Sequence, residues 1–480
     1  MTHSLTITRR VWTALLTVPA VLAFASAAIA QPFDAADLDV ARELREQALS
    51  SDLGYEITAD LTTRVGNRLA GSENDARAVE WAVEMLESMG FDRVWTEPAT
   101  FPYWTRETER VSIVAPTEQE LVAIALGFSP ATPEGGVEAE VVMFDDLDDF
   151  EAASPESVEG RIVFIRSRME RARDGSGYGP AVQKRARGSV VGAEKGAAAV
   201  VIRSVGTSSD RFAHTGMMRF TAGSRLVPAA AISNPDADQL ERLMTGDQPV
   251  RMRVEIEASV NETYTSRNVI AQLDGAADPE SIDAPIVALG AHLDSWDVGT
   301  GALDDAAGVG IVTAAAKLIM DHEARPDRSI QVILFAAEEI GLWGGRAWAD
   351  AHGDEVERYQ VASESDFGAG RIYAMTARVA DEAMPVIEAI QAELAPLGIE
   401  SVERGGGAGP DFTPMLARGL AAVRLRQDGS KYFDYHHTEN DTLDKVDPDA
   451  MKQNVAAFAV FAWLAAQSPV AFGSGPGLVD

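Results

Sequence analysis

The sequence predicts an α/β protein with a doubly wound, mainly parallel sheet and a β-rich insertion. Apolar strand-like runs alternate with helix-like runs after residue 268. A series of short strands, separated by acidic or Gly-rich turns, occupies residues 120–262. The length of 480 residues also exceeds what one hydrophobic core usually organises. Together these observations favour a large α/β domain interrupted by a second unit.

The N-terminal region predicts helices followed by strands. A helical lead is expected over roughly residues 35–60, and an amphipathic helix over 74–89, where apolar side chains recur at helical spacing until Gly90. Residues 92–116 alternate as strands do. The insertion adds a helix at 182–196 and strands at 141–144, 161–165 and 198–202.

The C-terminal region supplies the alternation that indicates a parallel sheet. The expected strands are 285–291, 329–336, 359–363 and 420–425. The expected helices are 306–321, 345–352, 381–394 and 450–466. Helices between strands are the usual connection of parallel neighbours. The Gly-rich end, residues 471–480, predicts a flexible tail.

Acidic residues dominate the charge of the chain. Asp and Glu number 74 against 41 Lys and Arg, which gives a formal net charge of −33. A surface this negative repels nucleic acid and anionic membranes, so neither is expected as a partner. Because the chain has no Cys, its stability must come from its core and from any bound metal rather than from disulfides.

Residues 1–30 carry the pattern of a secretory signal peptide. Arg9 and Arg10 precede an apolar stretch, and Ala28-Ile29-Ala30 provides an A-x-A cleavage site. An uncleaved membrane anchor is the alternative interpretation. Cleavage near Ala30 would make the mature protein secreted or periplasmic. No later run is long and apolar enough to span a bilayer, so no membrane contact is expected after cleavage.

Residues of the types that commonly bind metals follow three of the predicted strands. They are His292 and Asp294 after the first strand, Glu338 and Glu339 after the second, and Asp366 after the third. Two further groups are the acidic pair Asp304-Asp305 before a helix and the late run Tyr435-His436-His437. Singly, each has an ordinary explanation as a helix cap, a solvated turn or a surface pair. The carboxyl ends of strands in an open α/β sheet share one edge, and this coincidence favours a functional site.

The residue types indicate zinc. Neutral imidazole and carboxylate oxygen are zinc ligands, and a catalytic zinc keeps a position for water. Two histidines and three carboxylates can hold two ions when one carboxylate bridges them. A carboxylate beside the metals can then act as a general base, and one beside a ligand histidine can orient its ring.

At these positions the chain resembles the co-catalytic zinc aminopeptidase and glutamate carboxypeptidase family, and within it the plasma glutamate carboxypeptidase branch. The resemblance implies two zinc ions, held by His292, Glu339, Asp366 and His437 with Asp304 as the bridge. It implies that Glu338 is the catalytic base, that Asp294 orients His292, and that the Asp304–Asp305 peptide bond is cis. It also implies short peptides with free ends as substrates, and it suggests a homodimer.

The resemblance extends to the organisation of the chain. The segments 160–165 and 227–232 resemble a protease-associated domain inserted into the peptidase. The expected boundaries are 1–30 for the signal peptide, 31–119 and 263–470 for the peptidase domain, 120–262 for the insertion and 471–480 for the tail.

Two positions depart from the pattern of the family. His436 stands where many relatives have a tyrosine that stabilises the oxyanion, and Tyr435 lies one residue earlier. The Pro410–Phe412 loop, which contains Asp411, stands where many aminopeptidases have a Ser-Asp-His segment that bears on the specificity pocket. These three residues are the candidates for oxyanion or substrate contacts. Arg378, Arg404 and Arg424 are weaker candidates for a substrate carboxylate, since ion pairing is their ordinary role.

The sequence therefore predicts an exported dizinc exopeptidase that acts as an aminopeptidase, a dipeptidase or a carboxypeptidase. One alternative is a non-catalytic binding protein on the same scaffold. Another is a single-zinc acyltransferase resembling glutaminyl cyclases. The complete ligand set argues against the first, and the five ligands together with the insertion argue against the second.

Overall fold

The computed structural model describes residues 32–221, 223–261, 263–277 and 285–475, together with residues 1, 2 and 478. Residues 32–480 cluster as one compact unit. The expected signal peptide, apart from its first two residues, lies outside the described part of the chain. Within the described part, no helix has the length and apolar character needed to cross a membrane.

Helices α1–α12 account for most of the predicted helical segments. Their bounds are Ala35–Ser50, Leu53–Arg64, Glu73–Met89, Leu147–Ala152, Tyr178–Lys195, Asn234–Met244, Ala307–Asp321, Trp343–His352, Met384–Leu394, Thr413–Leu416, Tyr432–Tyr435 and Pro448–Ala466. The expected helical lead is thus two helices, because Ser51 is extended (φ −103°, ψ 136°) and separates α1 from α2. Helix α3 ends as predicted at Gly90, whose φ of 86° is the left-handed conformation that glycine tolerates.

Strands β1–β16 form two sheets. Their bounds are Arg93–Phe101, Trp104–Ala115, Gln119–Leu121, Ala123–Ala125, Val137–Phe144, Ile162–Ile165, Ala199–Arg203, Ala229–Ile232, Arg251–Val260, Tyr264–Leu273, Ile286–His292, Ile330–Phe335, Tyr359–Glu364, Ile372–Arg378, Val402–Arg404 and Ala422–Gln427. The strand β14 was not expected from the sequence.

The first sheet has the order β1-β10-β12-β11-β13-β16-β14-β15. The four central strands, β12, β11, β13 and β16, are parallel. On one side, β10 pairs antiparallel with both β12 and β1, and on the other side β14 pairs antiparallel with β16. The sheet is therefore mixed at its margins. Only residues 365–371 join β13 to β14, and this connection is too short for a helical crossover, so β14 runs back antiparallel.

The second sheet has the order β3-β2-β9-β5-β6-β7-β8-β4. Strand β2 pairs antiparallel with β9 along nearly its whole length. The segment that builds this sheet therefore begins near Trp104 rather than at residue 120, because β2 is paired with β9 through the main chain. Strands β5 to β8 are parallel neighbours in the middle of the sheet.

Helices α7 and α12 pack against each other in the main hydrophobic core. Nearly every residue of α12 is buried, because the helix packs against α1, α7 and α9 on different sides. Residues 471–475, which the sequence predicts to be flexible, are instead anchored to the fold. Phe472 is fully buried and its carbonyl accepts a hydrogen bond from the Ala380 N–H, which anchors this part of the tail.

Candidate active site

The carboxyl edge of the first sheet brings the predicted ligands together. Strand β11 ends at His292, and the pair Glu338-Glu339 follows β12. Asp366 follows β13, and the turn before α7 presents Asp304. His437 follows the short helix α11 with φ 59°, a left-handed conformation rare outside glycine. Five segments that are distant in sequence thus converge at one place.

Asp304 lies between His292 and His437. Its Oδ1 is 3.0 Å from Nε2 of His292, and its Oδ2 is 3.4 Å from Nε2 of His437. Asp366 Oδ1 is 3.6 Å from the same His292 nitrogen, and Glu339 Oε2 is 2.9 Å from Nε2 of His437. The side chains form two clusters that share Asp304, as expected for a bridging carboxylate.

Main-chain carbonyls orient both imidazoles. His292 Nδ1 donates to the carbonyl of Asp294 at 3.0 Å, and His437 Nδ1 donates to the carbonyl of Thr215 at 3.2 Å. Each ring therefore turns Nε2 towards the carboxylates. The predicted partner of His292 is the Asp294 side chain, but the carboxylate oxygen lies farther away, at 3.6 Å, so the main chain of Asp294 makes the closer contact.

The donor set fits zinc. Histidine nitrogens and carboxylate oxygens that face each other at about 3 Å attract a positive charge between them, and neutral imidazole with carboxylate is a zinc-binding combination. Oε1 of Glu339 is buried without a hydrogen-bond partner, which leaves it free to bind a cation. Two groups of potential ligands are spatially compact: His292, Asp304 and Asp366, and Asp304, His436 and His437. The second group includes His436 beside His437.

Asp294 positions the turn that carries Glu338. Its carboxylate accepts hydrogen bonds from the N–H groups of Glu338 at 2.9 Å and Glu339 at 3.3 Å. Asp294 therefore links the end of β11 to the end of β12. The Asp294 side chain has 0% exposure, so these bonds form away from competing water.

Buried carboxylates also hold the Asp304 turn. Asp305 accepts hydrogen bonds from the N–H groups of His292 and Gly308 at 3.2 and 3.0 Å. Asp441 accepts from the N–H groups of Leu303 and Asp304 at 2.7 and 3.2 Å. The peptide bond between Asp304 and Asp305 is cis. The carboxylate of Asp304 is thus fixed from two sides of the turn.

Burial and neighbouring charges separate the acidities of the carboxyl groups. Burial raises the pKa of Glu338 well above its ordinary value; the charge of His292 lowers it, and the carboxylates of Asp366 and Glu339 raise it further. Burial also raises the pKa of Asp304, but contacts with His292 and His437 outweigh burial and hold it well below the ordinary value. Asp304 is therefore the ionised group and Glu338 the group with high proton affinity.

The three candidates for oxyanion or substrate contacts are in different surroundings. His436 stacks on His437 with ring centroids 3.5 Å apart, and its buried Nδ1 has no hydrogen-bond partner. Tyr435 lines a neighbouring cavity with Lys445 near its ring, and it does not line the cleft that contains Glu338. Asp411 has no exposed surface and its N–H donates to Glu364, so it lies behind the cleft.

The segment between β6 and β8 contributes residues to the site that the sequence pattern does not indicate. A cleft of about 700 Å³ contains Glu338 and Asp366 together with Tyr178 and Arg185 from α5. His214 Nδ1 donates to the carbonyl of His436 at 2.7 Å. No local pattern in α5 distinguishes Tyr178 and Arg185 from surface residues, because their position depends on how the two sheets pack.

Several known proteins are similar to this chain in sequence. The model of peptidase family M28 matches residues 268–462. Bovine (Bos taurus) carboxypeptidase Q is 32% identical over 412 residues, which cover 86% of this chain and 85% of the bovine chain. Human (Homo sapiens) carboxypeptidase Q is 31% identical over 431 residues, 89% of each chain.

Solved structures of peptidases are similar to this chain in fold. A peptidase M28 precursor from Shewanella amazonensis superposes with a TM-score of 0.89 and 50% identity, over 92% of this chain and 99% of that chain. A zinc aminopeptidase from Bacillus subtilis, BSAP, has a TM-score of 0.62 at 19% identity, over 88% and 97% of the two chains, and shares the fold.

The α/β fold and the histidine–carboxylate centre therefore define a zinc metallopeptidase of the exopeptidase type. The chain belongs to peptidase family M28. Its substrates are accordingly peptides.

Proposed function

We propose that the protein is an exported dizinc exopeptidase that hydrolyses dipeptides or short peptides with free ends. The observation that carries the proposal is the placement of Asp304 between His292 and His437, with one carboxylate oxygen towards each. A carboxylate in this position is suited to hold two cations at once. One ion would be held by His292, Asp304 and Asp366, and the other by Asp304, Glu339 and His437.

Each residue of the centre has a distinct role in this proposal. Zinc bound there would lower the pKa of a water molecule and polarise the scissile carbonyl. Glu338, half-buried in the cleft, accepts the proton of the attacking water and returns it to the leaving amine.

The remaining parts of the proposal concern organisation and export. The segment from about Trp104 to Val260, which forms the second sheet, would be the protease-associated insertion. The expected signal peptide would be removed near Ala30. Mass spectrometry of the protein from the native export pathway would then show Gln31 as the first residue, whereas retention of Met1 or the apolar stretch would contradict export by cleavage.

The test of the hydrolase function compares the mature protein with Glu338→Gln. The wild type should contain about two zinc ions per chain and cleave dipeptides, while Glu338→Gln should retain the zinc and lose activity by about 10²- to 10⁴-fold, because the general base is removed and the ligands are not. Zinc content by elemental analysis and dipeptide hydrolysis are measured on the same samples.

Glu323→Gln is the matched control, since Glu323 is exposed and outside the site. It should leave zinc content and activity unchanged. One zinc ion per chain would favour the single-zinc acyltransferase instead. Zinc binding without cleavage of any peptide would favour a binding protein on the same scaffold.

A further inference from the structure

A loop of the second sheet lies against the turn that carries His437. The loop is residues 204–217, which follow β7, and the turn is residues 432–437. The Thr215 N–H donates to the carbonyl of His437 at 3.1 Å, and His437 Nδ1 donates to the carbonyl of Thr215 at 3.2 Å. These two residues are 222 positions apart in the chain. The main chain of the loop and the proposed ligand therefore hold each other through a reciprocal pair of hydrogen bonds.

His214 fills the space beside this pair. The residue is 1% exposed, its Nδ1 donates to the carbonyl of His436 at 2.7 Å, and its own N–H donates to the Ser204 hydroxyl at 2.9 Å. Among the described residues, its Nε2 has no hydrogen-bond partner. The ring lies directly against Gly206, where an added Cβ would be 2.1 Å from the ring Cε1. The hydrogen bond that the ring makes is thus with the residue before His437.

The backbone of His437 needs such support. Its φ of 59° is the left-handed conformation, which a residue with a Cβ keeps only when its surroundings impose it. The loop holds both peptide groups that flank its Cα, because His214 binds the carbonyl of His436 and Thr215 binds the carbonyl of His437. Rotation about either backbone bond of His437 would break one of these hydrogen bonds. The loop therefore fixes the direction in which the His437 ring leaves the main chain.

A second set of contacts holds the beginning of the same turn. The Thr207 N–H donates to the carbonyl of Phe433 at 2.9 Å, and the Thr207 hydroxyl donates to the carboxylate of Asp434 at 2.8 Å. Arg171 pairs with the same carboxylate through two N–H groups, at 2.8 and 2.6 Å. These contacts keep the turn against the loop, whereas His214 acts on the peptide group directly before the proposed ligand.

The other histidine of the centre is oriented from within its own segment. His292 Nδ1 donates to the carbonyl of Asp294, which is two residues further along the chain. The two proposed ion positions therefore differ in what holds their histidine. The end of β11 orients one ring, and the loop of the second sheet orients the other.

We propose that His214 is a positioning residue, which sets the direction of His437 through the His436 carbonyl and thereby strengthens the binding of one zinc ion. In the proposed function, that ion is the one held by Asp304, Glu339 and His437. Groups that orient a ligand histidine contribute about 10- to 100-fold to metal affinity. The inference rests on the proposed dizinc function, and it adds that the second sheet controls the occupancy of one of the two ion positions.

The test compares His214→Leu with His214→Asn, whose side chains have nearly the same shape. The Asn amide nitrogen branches from Cγ, as Nδ1 does in histidine, so it can donate to the same carbonyl, whereas Leu cannot. Zinc binding is measured by competition with a chromophoric chelator in the absence of substrate. His214→Leu should bind one of the two zinc ions about 10- to 100-fold more weakly than the wild type, and His214→Asn should bind both nearly as the wild type does. At saturating zinc, the kcat of His214→Leu should return towards the wild-type value, because the proposed ligands all remain.

His352→Leu is the matched control, since Nε2 of His352 also makes a hydrogen bond, to Glu97 at 3.0 Å, and the residue belongs to α8 outside the site. It should leave both zinc affinities unchanged. Wild-type affinity for both ions in His214→Leu would overturn the inference. An equal loss of affinity in His214→Leu and His214→Asn would also overturn it, since the shape of the side chain rather than its hydrogen bond would then matter.

A folding defect in His214→Leu does not obscure the result, because His214→Gln and His214→Asn can be compared instead. Both carry an amide, but the longer Gln side chain places it beyond the position of Nδ1. Weaker zinc binding in His214→Gln than in His214→Asn supports the inference, and equal binding overturns it. Absence of zinc binding in the wild type would refute the proposed dizinc function itself, and this inference with it, which separates that failure from the failure of this inference alone.

Discussion

At the scale of single residues, the centre depends on carboxylates with different tasks. Asp304 contacts both His292 and His437, Asp294 holds the N–H groups of Glu338 and Glu339, and Asp441 holds the turn of Asp304. Chemically identical side chains thus make different contacts: one lies between two histidines and the other two hold the turns of the site. Their burial and hydrogen bonds, rather than their residue type, decide which task each performs.

Asp304→Asn should remove the shared negative charge and weaken both cation positions. We expect less than two zinc ions per chain and a loss of activity greater than about 100-fold, which is the upper range for changes to residues that only support ligands. Asp366→Asn is the informative comparison, because Asp366 contacts one cluster only. Asp366→Asn should bind one of the two zinc ions more tightly than Asp304→Asn does. Full zinc occupancy in Asp304→Asn would contradict the bridging role.

A second residue-scale prediction concerns Asp75, which is 3% exposed and remote from the metal ligands in sequence. Its carboxyl group accepts hydrogen bonds from the Gly71 N–H at 2.9 Å and the Ser266 hydroxyl at 2.7 Å. Burial nevertheless raises the pKa of Asp75 from 3.8 to about 6. Between these values the unfolded chain loses its proton first, so the free energy of unfolding decreases as pH rises from about 4 to about 6.

Asp75→Asn should remove this pH dependence, because the amide can accept from Gly71 and donate to Ser266. Relative to wild type, the variant should gain up to about 3 kcal/mol of unfolding free energy between pH 4 and pH 7. Urea unfolding at both pH values measures the change. Asp247→Asn, at an exposed position, should show no such gain. A constant difference between Asp75→Asn and wild type at both pH values would refute the assignment.

At the scale of elements, the start of α7 is the tightest junction of the site. A Cβ on Gly308 would lie 2.0 Å from the carbonyl oxygen of Ser365 and 2.3 Å from the Asp305 carboxylate. The helix can therefore approach β13 only because Gly308 has no side chain. This approach places the Asp304 turn beside Asp366.

Gly308→Ala should destabilise the fold by about 1–3 kcal/mol, since the backbone of Ser365, directly after β13, must move to make room. Gly179→Ala is the matched change in α5, where an added Cβ meets nothing within 4 Å. It should alter stability by less than about 1 kcal/mol, in the stabilising direction, because alanine favours a helix over glycine. The midpoint of urea unfolding distinguishes the two, and equal midpoints would show that the junction adapts freely.

At the scale of the whole molecule, the metal centre connects the parts of the chain. The proposed ligands lie at or after the ends of β11, β12, β13 and α11, and the carbonyl of Thr215, which precedes β8, orients His437. The chain has no Cys to cross-link these segments. Bound zinc should therefore stabilise the folded state as well as support catalysis.

Removal of zinc with a chelator should lower the melting temperature, and added zinc should restore it. Saturating zinc at about 100 times its dissociation constant corresponds to roughly 2.7 kcal/mol for each independent site. Glu338→Gln should show the same chelator-induced shift as wild type, because it retains the ligands, whereas Asp304→Asn should show a smaller one. Differential scanning calorimetry measures these shifts, and an unchanged melting temperature after complete zinc removal would contradict the structural role.

The sequence alone determined the α/β class and the order of most strands and helices, and it predicted a set of metal ligands at the strand ends. These features depend on local periodicity and on the rule that sites form at the carboxyl edge of a parallel sheet. The tertiary structure decided the antiparallel margin at β14, the start of the second sheet at β2 and the anchored Phe472. It also placed Tyr178 and Arg185 in the cleft and turned Tyr435 away from it. These features depend on long-range packing between segments far apart in the chain, and no local pattern records that packing.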